Sequence, residues 1–185
     1  DPFVFRPRPD AFAKMDLSPL LDKSVPVMQA IPIQSRYSRR FEADDIAKIR
    51  EHRIDVLIRC GSKILRGDIL KAAKFGVWSY HHGDNARYRG SPPGFWEVFE
   101  RNPVTGTILQ VLTEDLDNGT VLARTYSATD ILSVNRSCNG MYWKSLSLLP
   151  RKLKELYEHG EKRFLEDVPA ANADPGDQCE NNIFG

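Results

Sequence analysis

The amino-acid sequence predicts an α/β fold: an open, mostly parallel sheet with helices on both faces and an antiparallel hairpin addition. Three observations favour this class. Two short apolar runs, 54–59 and 76–82, have the composition of buried parallel strands. A helical segment lies between them. Two later strand-like runs, 105–112 and 121–127, flank an Asn-Gly dipeptide, which is a strong hairpin signal.

The other elements follow from proline positions and apolar periodicity. Residues 1–16 carry three prolines, which cannot donate to a strand ladder, so they are predicted to form an edge segment or loop. Residues 25–33 have strand composition interrupted by two prolines and are predicted to be an edge strand. Helices are predicted at 17–21, 41–52, 67–74, 93–100 and 137–160, where Pro150 breaks or kinks the last helix or opens a second one.

Length and composition indicate one domain. The chain has 185 residues, of which 41% are hydrophobic, enough for a sizeable core. The domain is predicted over 1–167. Residues 168–185 are polar with few core residues, and we expect a mobile tail there.

Charge and cysteine usage narrow the classes of function. The net charge of +1 gives no bias toward nucleic acid or membranes, so neither is expected as a partner, and the oligomeric state stays open. The three cysteines show no CxxC spacing, so no metal site or disulfide framework is expected, and a cytoplasmic location is the default. Neither a GxGxxG fingerprint nor a P-loop sequence is present.

The stretch 76–119 carries the residues with the most chemical character. An apolar, β-prone run ends in His81 and His82, and a Gly- and Pro-rich loop follows that is too long for a tight hairpin. Polar side chains at a strand end, before an irregular loop, lie where open α/β sheets bind ligands. A second polar turn, 113–119, carries Asp117. The two loops are therefore expected to face each other across one active site.

The histidines and the aspartate also have structural explanations. Neighbouring strand residues point to opposite faces, so only one of His81 and His82 is expected to face the cleft. Both could simply hydrogen-bond a loop, or they could join Asp84 in a metal site. Asp117 could cap its own turn, as aspartates commonly do.

Arg87 and Arg89 flank Tyr88 in the loop after the histidines. Such a loop can hold a phosphate or a base, because guanidinium groups pair with anions and stack on rings. The alternative is a solvated surface loop.

Taken together, these residues resemble the 10-formyltetrahydrofolate-dependent formyltransferases, which include the methionyl-tRNA, glycinamide-ribonucleotide and sugar-amine enzymes. The family pattern is a strand ending Asn-x-His, a loop ending Arg-Gly, a helix, a Thr-Gly strand, and Leu-Asp-x-Gly. An ungapped match over 76–90 places the family histidine on His81. The later pieces match Arg89-Gly90, Thr105-Gly106 and Leu116-Asp117-Asn118-Gly119, and the resemblance covers roughly residues 41–130.

The chain departs from the family pattern at two places. The family asparagine, two residues before the histidine, falls on Ser79, or on Tyr80 if His82 is the matching histidine. We prefer His81 because that match needs no gap. The family's opening strand–loop–helix unit also has no counterpart before the match. The domain is therefore expected to be truncated there, or to have that edge rebuilt by residues 1–33.

The resemblance implies a Rossmann-like formyltransferase fold and transfer of a formyl group from 10-formyltetrahydrofolate to an amine. The acceptor is expected to be a small molecule such as an amino sugar, and the alternative hypothesis is a catalytically impaired, formyltransferase-like binding domain. The catalytic roles fall on His81, Asp117 and Ser79. The implied donor-binding residues are Gly61, Lys63, Leu65, Leu70, Thr113 and Asp115, and the implied substrate-binding residues are Arg87 and Arg89.

Overall fold

A computed structural model describes residues 9–61, 63–88, 91–115 and 119–172, with side chains described to residue 166. Short 3-10 helices cover Ser18–Leu20 and Asp68–Lys71. The strands are β1 (Ile33–Gln34), β2 (Ser38–Arg40), β3 (Leu57–Ile58), β4 (Ile64–Leu65), β5 (Val77–His81), β6 (Val104–Val111) and β7 (Thr120–Ala128). The helices are α1 (Ala43–Glu51), α2 (Phe95–Phe99), α3 (Val134–Ser145) and α4 (Leu148–Asn172).

Two mixed sheets form the β-structure of the described ranges. The larger has the order β3-β5-β6-β7, and the smaller has the order β1-β2-β4. β3 and β5 pair in parallel, as do β2 and β4, whereas β1–β2, β5–β6 and β6–β7 are antiparallel. The predicted α/β class and the hairpin of β6 with β7 are confirmed. The sheets are mixed rather than mostly parallel, because β6 returns beside β5 in the opposite direction.

One face of the larger sheet packs against the two C-terminal helices. Tyr80 on β5 donates its hydroxyl to the Ser145 carbonyl at 3.0 Å and accepts from the Leu149 amide at 3.1 Å, which fixes the junction of α3 and α4 against the sheet. Apolar burial then supplies the main stabilisation of this layer. Its buried core residues are Trp78, Leu109, Leu122, Ala123, Leu148 and Phe164.

The other face of β5 packs against α1 and the second 3-10 helix. α1 begins with Asp44 and Asp45 in its first turn, where carboxylates interact favourably with the helix dipole. Its buried Ile46 meets Val77 of β5 in a second core, completed by Ile69, Leu70 and Ala72. Helices therefore cover both faces of the sheet, as predicted.

Several predicted elements have different bounds. The buried run 54–59 pairs as a strand only at Leu57–Ile58, the helix expected at 67–74 is a 3-10 helix over Asp68–Lys71, and 25–33 pairs only from Ile33 onward. The helical region predicted over 137–160 consists of two helices, which is one of the alternatives predicted from Pro150. Pro150 lies in the first turn of α4, where its missing N–H costs no hydrogen bond.

α4 runs to Asn172, past the predicted domain boundary at residue 167, and its helical dihedrals are interrupted at Gly160, where φ is 73°. Residues 173–185, most of the predicted tail, lie outside the described ranges. None of the helices in the described part of the chain is both long and apolar enough to cross a lipid bilayer.

The N-terminal residues of the described chain attach to α3. The Asn139 side chain accepts from the Ala11 amide at 2.7 Å, and its amide donates to the Pro9 carbonyl. Phe12 packs edge-on against Tyr142 at 5.3 Å between ring centroids. Residues 9–12 of the predicted edge segment or loop therefore lie against α3.

Candidate active site

His81 and His82 lie on opposite faces of β5. His81 shares its face with Ser79 and lies opposite Ile108 of β6 in the antiparallel register. Its Nε2 is 3.4 Å from the Tyr88 carbonyl oxygen, in the loop that follows the strand. His81 therefore stands at the carboxyl end of β5, half-buried, beside the loop predicted to border the cleft.

His82 lies on the face of the sheet that packs against α3 and α4. Its ring stacks on Tyr80 at 5.8 Å and meets the ring of Tyr142 edge-on at 4.5 Å. Its buried Nδ1 has no hydrogen-bond partner among the described residues. Burial, with a smaller contribution from nearby His81, lowers the pKa of His82 to about 4, so its ring is neutral at neutral pH.

Ser79, which occupies the family asparagine position, is buried and fully engaged in hydrogen bonds. Its hydroxyl donates to the Tyr80 carbonyl at 3.1 Å and accepts from Arg59 Nη1 at 3.1 Å. Arg59 follows β3, and its other terminal nitrogen donates to the Lys63 carbonyl at 2.8 Å. The serine predicted to act catalytically thus touches an arginine that sequence reasoning had not assigned to the site.

The loop after the histidines is anchored by an ion pair with β7. Asp84 Oδ1 lies 3.0 Å from Arg124 Nη1, and both side chains are largely buried. Tyr126 donates to the other carboxylate oxygen at 3.4 Å, and the Asp84 carbonyl accepts from the amides of Arg87 and Tyr88. These contacts hold the loop as a turn that returns toward His81.

Gly106 of β6 lies directly against this anchored loop. A Cβ there would lie 3.1 Å from the Asp84 backbone nitrogen and 2.8 Å from Asp84 Cβ, and the second distance is shorter than real Cβ contacts. The Thr105-Gly106 step therefore has a packing reason, because only glycine lets the loop lie flat on the strand.

The arginine loop is described only in part. Arg87 is exposed, and Arg89 lies outside the described residues, as does Gly90. Tyr88 donates to Glu100 Oε2 at 2.8 Å and accepts from Asn102 at 3.0 Å, which ties the loop to the end of α2. An exposed arginine next to this anchor is available to an anionic ligand, and the substrate-binding role of Arg87 and Arg89 stays a prediction.

The six predicted donor-binding residues lie partly in or against the second core and partly on connecting segments. Leu70 is buried in the second core, and Leu65, which is half-buried, packs against that core. Lys63 donates its ammonium to Gln34 and to the Ser35 carbonyl, both at 3.1 Å. Gly61, whose φ is 151° and whose Cα faces open space, Thr113 and Asp115 lie on connecting segments.

Those connecting segments meet beyond the ends of the strands. Glu114 accepts from the Gly67 amide at 2.6 Å and lies 3.6 Å from Arg66 Nη1, which also donates to the Glu114 carbonyl. The chain after β4 and the chain after β6 therefore touch. Four of the predicted donor-binding residues, Lys63, Leu65, Thr113 and Asp115, lie close in sequence to this contact, and their role stays a prediction.

Asp117, the third predicted catalytic residue, lies outside the described residues. β7 begins at Thr120, paired with Val111, so the connection that contains Asp117 joins this edge of the sheet. No group of three or more potential ligands in the described ranges could hold a metal ion. Asp84, the third member of the alternative metal site, is instead paired with Arg124.

A cavity of about 560 Å³ lies at the other end of the parallel strands. Residues that precede β3 and β5 line it together with α4, including Phe75 and Tyr157. The ion pair of Lys74 and Glu161, 2.6 Å long, involves two more of its lining residues. This cavity is at the amino end of the strands, away from His81, and carries none of the predicted site residues.

Comparisons with known proteins bear on the family. No protein-family model matches the chain. Over 93 residues it is 33% identical to the methionyl-tRNA formyltransferase of Deinococcus radiodurans, an alignment that covers 50% of this chain and 29% of that protein. The chain therefore spans less than a third of the length of this curated relative.

Solved structures share the fold. A formyltetrahydrofolate deformylase from Pseudomonas syringae pv. tomato matches with a TM-score of 0.56 and 18% identity, covering 63% of this chain and 40% of that one. A phosphoribosylglycinamide formyltransferase from Campylobacter jejuni matches with a TM-score of 0.54 and 18% identity, covering 62% and 61%. The sequence match and the shared fold agree with the resemblance found in the residues: half of the chain is similar in sequence to a methionyl-tRNA formyltransferase, and the chain shares the fold of these two solved structures.

Proposed function

We propose that this protein transfers a formyl group from 10-formyltetrahydrofolate to the amine of a small molecule such as an amino sugar. The observation that carries the proposal is the position of His81. It stands at the carboxyl end of β5 on the face of Ser79, and its ring lies beside the anchored loop. This is the place where an α/β sheet binds its ligand.

The reaction needs the protein to stabilise a developing oxyanion and to assist proton transfer. The amine nitrogen attacks the formyl carbon, and the carbonyl electron pair moves onto oxygen. The bond to the folate nitrogen then breaks as that nitrogen takes up a proton, and the amine loses one. A histidine at the reacting carbon can donate a hydrogen bond to the oxyanion or carry the proton. We assign this role to His81 and assign its orientation to Asp117.

The donor cleft is supported by the contact between the two connecting segments. Because Glu114 binds the Gly67 amide and Arg66, the chain after β4 is held against the chain after β6. A pterin needs a slot with backbone donors and acceptors around it. Segments 63–67 and 111–115 present such backbone groups next to the apolar side chains of the second core.

A small acceptor is favoured by the charge of the chain. The net charge of +1 gives no surplus of cations to release counterions from a polynucleotide. The second candidate function is a binding domain on the same scaffold that has lost the reaction. It is favoured by Ser79, whose hydroxyl already donates to the Tyr80 carbonyl and is shorter than the family amide.

The test is turnover of purified protein with 10-formyltetrahydrofolate. Tetrahydrofolate release would be followed with a panel of amino sugars, with methionyl-tRNA, and with no acceptor, and donor binding would be measured separately by calorimetry. Acceptor-dependent release with an amino sugar is the expected result. Donor binding without release in any of these reactions would establish the binding domain instead. Release without acceptor would indicate hydrolysis of the donor.

A further inference from the structure

Three polar side chains form a row across the larger sheet, one step before His81. Arg59 follows β3 and is level with Ser79, because its amide donates to the Trp78 carbonyl at 2.9 Å and its side chain reaches Ser79. Gln110 of β6 is the antiparallel partner of Ser79. Partners in an antiparallel pair share a face. Arg59, Ser79 and Gln110 therefore line the same face as His81.

Ser79 has no hydrogen left to give to a ligand. Its one hydroxyl hydrogen is directed at the Tyr80 carbonyl, and its oxygen receives the hydrogen bond from Arg59. A serine hydroxyl carries one donor hydrogen. In this arrangement the serine positions the guanidinium group rather than a substrate.

Arg59 has donors to spare. A guanidinium carries five N–H groups, and the two bonds to Ser79 and the Lys63 carbonyl use one on each terminal nitrogen. Burial lowers the pKa of Arg59, but an arginine starts so far above neutrality that it remains charged. A half-buried cation with unused N–H groups thus lies in contact with the residue at the family asparagine position.

Gln110 adds a buried amide at the same level of the sheet. The residue is 4% exposed, and its Oε1 is buried with no hydrogen-bond partner among the described residues. A Cβ at Gly119 would lie 2.8 Å from this oxygen, so the amide sits next to the connection that carries Asp117. An unpaired buried carbonyl oxygen is costly unless a donor group of a ligand meets it.

We propose that Arg59 is a catalytic residue: its guanidinium takes the place of the family asparagine and binds the formyl oxygen, and the Gln110 carbonyl oxygen beside it accepts from a donor group of the ligand. This inference rests on the proposed function. When the amine attacks, the electron pair that moves onto the formyl oxygen is stabilised by the cationic N–H groups. The pair returns to reform the carbonyl as the bond to the folate nitrogen breaks. Arg59 itself gains and loses no proton.

Kinetics of variants at this position test the proposal. Arg59→Met keeps much of the side-chain length without the charge, and Arg50→Met, on the exposed side of α1, is the matched control. We expect Arg59→Met to lower kcat by about 10²–10³, the usual effect of losing one oxyanion donor, with little change in donor affinity. Arg50→Met should keep the activity of the parent protein. Added guanidinium ion should partly restore Arg59→Ala, because it refills the space with the same cation.

A double variant separates the chemical role from a structural one. In Arg59→Ala/Ser79→Asn, the space left by the arginine admits the longer amide. We expect this protein to be more active than Arg59→Ala alone, since the asparagine restores a donor. Melting temperatures identify variants that fail to fold. If Arg59→Met fails to fold, Arg59→Lys takes its place, because lysine keeps the charge but loses the planar donor geometry, and we expect it to have an intermediate kcat.

The failures of the two proposals are distinguishable. If the parent protein shows no formyl transfer while binding the donor, the proposed function is wrong. If the parent protein is active and a folded Arg59→Met or Arg59→Lys protein keeps its kcat, the role of Arg59 is overturned while the function stands. If kcat falls together with the melting temperature, and neither guanidinium nor Ser79→Asn restores activity, Arg59 has a structural role only.

Discussion

At the scale of single residues, two adjacent histidines have different environments because a strand alternates its side chains. His81 faces Ile108 and the loop, whereas His82 is enclosed by Tyr80 and Tyr142. The sequence left open which histidine meets the cleft. The register places His81 on the face of Ser79, and its position in the cleft stays a prediction.

The buried ring of His82 makes stability depend on pH. The pKa of His82 is about 4 in the folded protein and 6.5 in an unfolded chain, so the unfolded state takes up the proton first as pH falls. The stability contributed by the neutral ring of His82 is therefore fully present above about pH 6.5 and is lost as the pH falls toward 4. At about 1.4 kcal/mol per pKa unit, the loss between pH 7 and pH 4.5 is about 2–3 kcal/mol.

His82→Phe tests this dependence. Phenylalanine keeps a ring between Tyr80 and Tyr142 but cannot bind a proton. We expect the fall in unfolding free energy between about pH 7 and pH 4.5 to shrink by about 2 kcal/mol in denaturant titrations. His159→Gln, on the exposed surface of α4, is the control and should keep the parent profile. An unchanged fall in His82→Phe would contradict the assignment.

At the scale of elements, the loop after β5 and the strand β6 are built for close approach. Asp84 is held by Arg124, and Gly106 provides the flat surface beneath it. Asp84 follows His81 by three residues, so the course of the loop controls which groups lie beside the imidazole. This connects a packing requirement on β6 to the geometry of the candidate active site.

Gly106→Ala should therefore impair both stability and activity. Its Cβ would meet Asp84 at 2.8 Å and push the loop away. Overpacking of this kind costs about 1–3 kcal/mol, which thermal or denaturant unfolding would measure, and kcat should fall with it. Gly140→Ala in α3 is the matched control: a Cβ there meets nothing within 4 Å, so it should stabilise the helix by up to about 1 kcal/mol. Equal behaviour of the two variants would refute the close-approach argument.

The long C-terminal helix is the other element that the site depends on. Phe164 of α4 stacks on Trp78 of β5 at 5.4 Å with the rings 10° from parallel, and both are buried. Trp78 is three residues from His81 in the same strand. Packing of α4 therefore fixes the strand that positions the histidine.

Phe164→Ala should lower the free energy of unfolding by about 3–5 kcal/mol, the usual effect of removing a buried phenylalanine. Leu165→Ala, at a neighbouring exposed position, should change it by less than about 1 kcal/mol. Chemical denaturation of both variants measures the difference. Similar small losses in both would mean that α4 does not hold the sheet as described.

At the scale of the whole molecule, local patterns in the sequence predict the α/β class, the parallel pair β3–β5 and the hairpin of β6 with β7. The run 54–59 is mostly apolar, yet only Leu57–Ile58 form a ladder. Its first residues instead accept hydrogen bonds from the turn before β5, since the amides of Lys74 and Phe75 donate to the carbonyls of residues 54 and 55. The antiparallel return of β6 beside β5 depends on the tertiary path of the loop, which composition does not encode.

In the candidate site, residues of one strand could be predicted from the sequence, whereas residues brought together from different strands could not. His81 and Ser79 could be found from spacing along one strand. Arg59 and Gln110 could not, because they come from other strands and reach Ser79 only through parallel and antiparallel register. The signal available in the sequence was a charged residue directly after an apolar strand, at the end where ligands bind. Leu70 shows the converse, since a residue next to the expected slot is part of the core.

The central claim, that His81 performs the transfer of a formyl group, is tested most directly by single-turnover kinetics of His81→Ala with bound 10-formyltetrahydrofolate and an accepted amine. We predict that the rate of transfer falls by about 10²–10⁴, the range for a removed general acid–base or oxyanion group, while the dissociation constant of the donor changes little. His159→Ala, the control, should transfer at the parent rate. A His81→Ala protein that transfers the formyl group as fast as the parent would contradict the account.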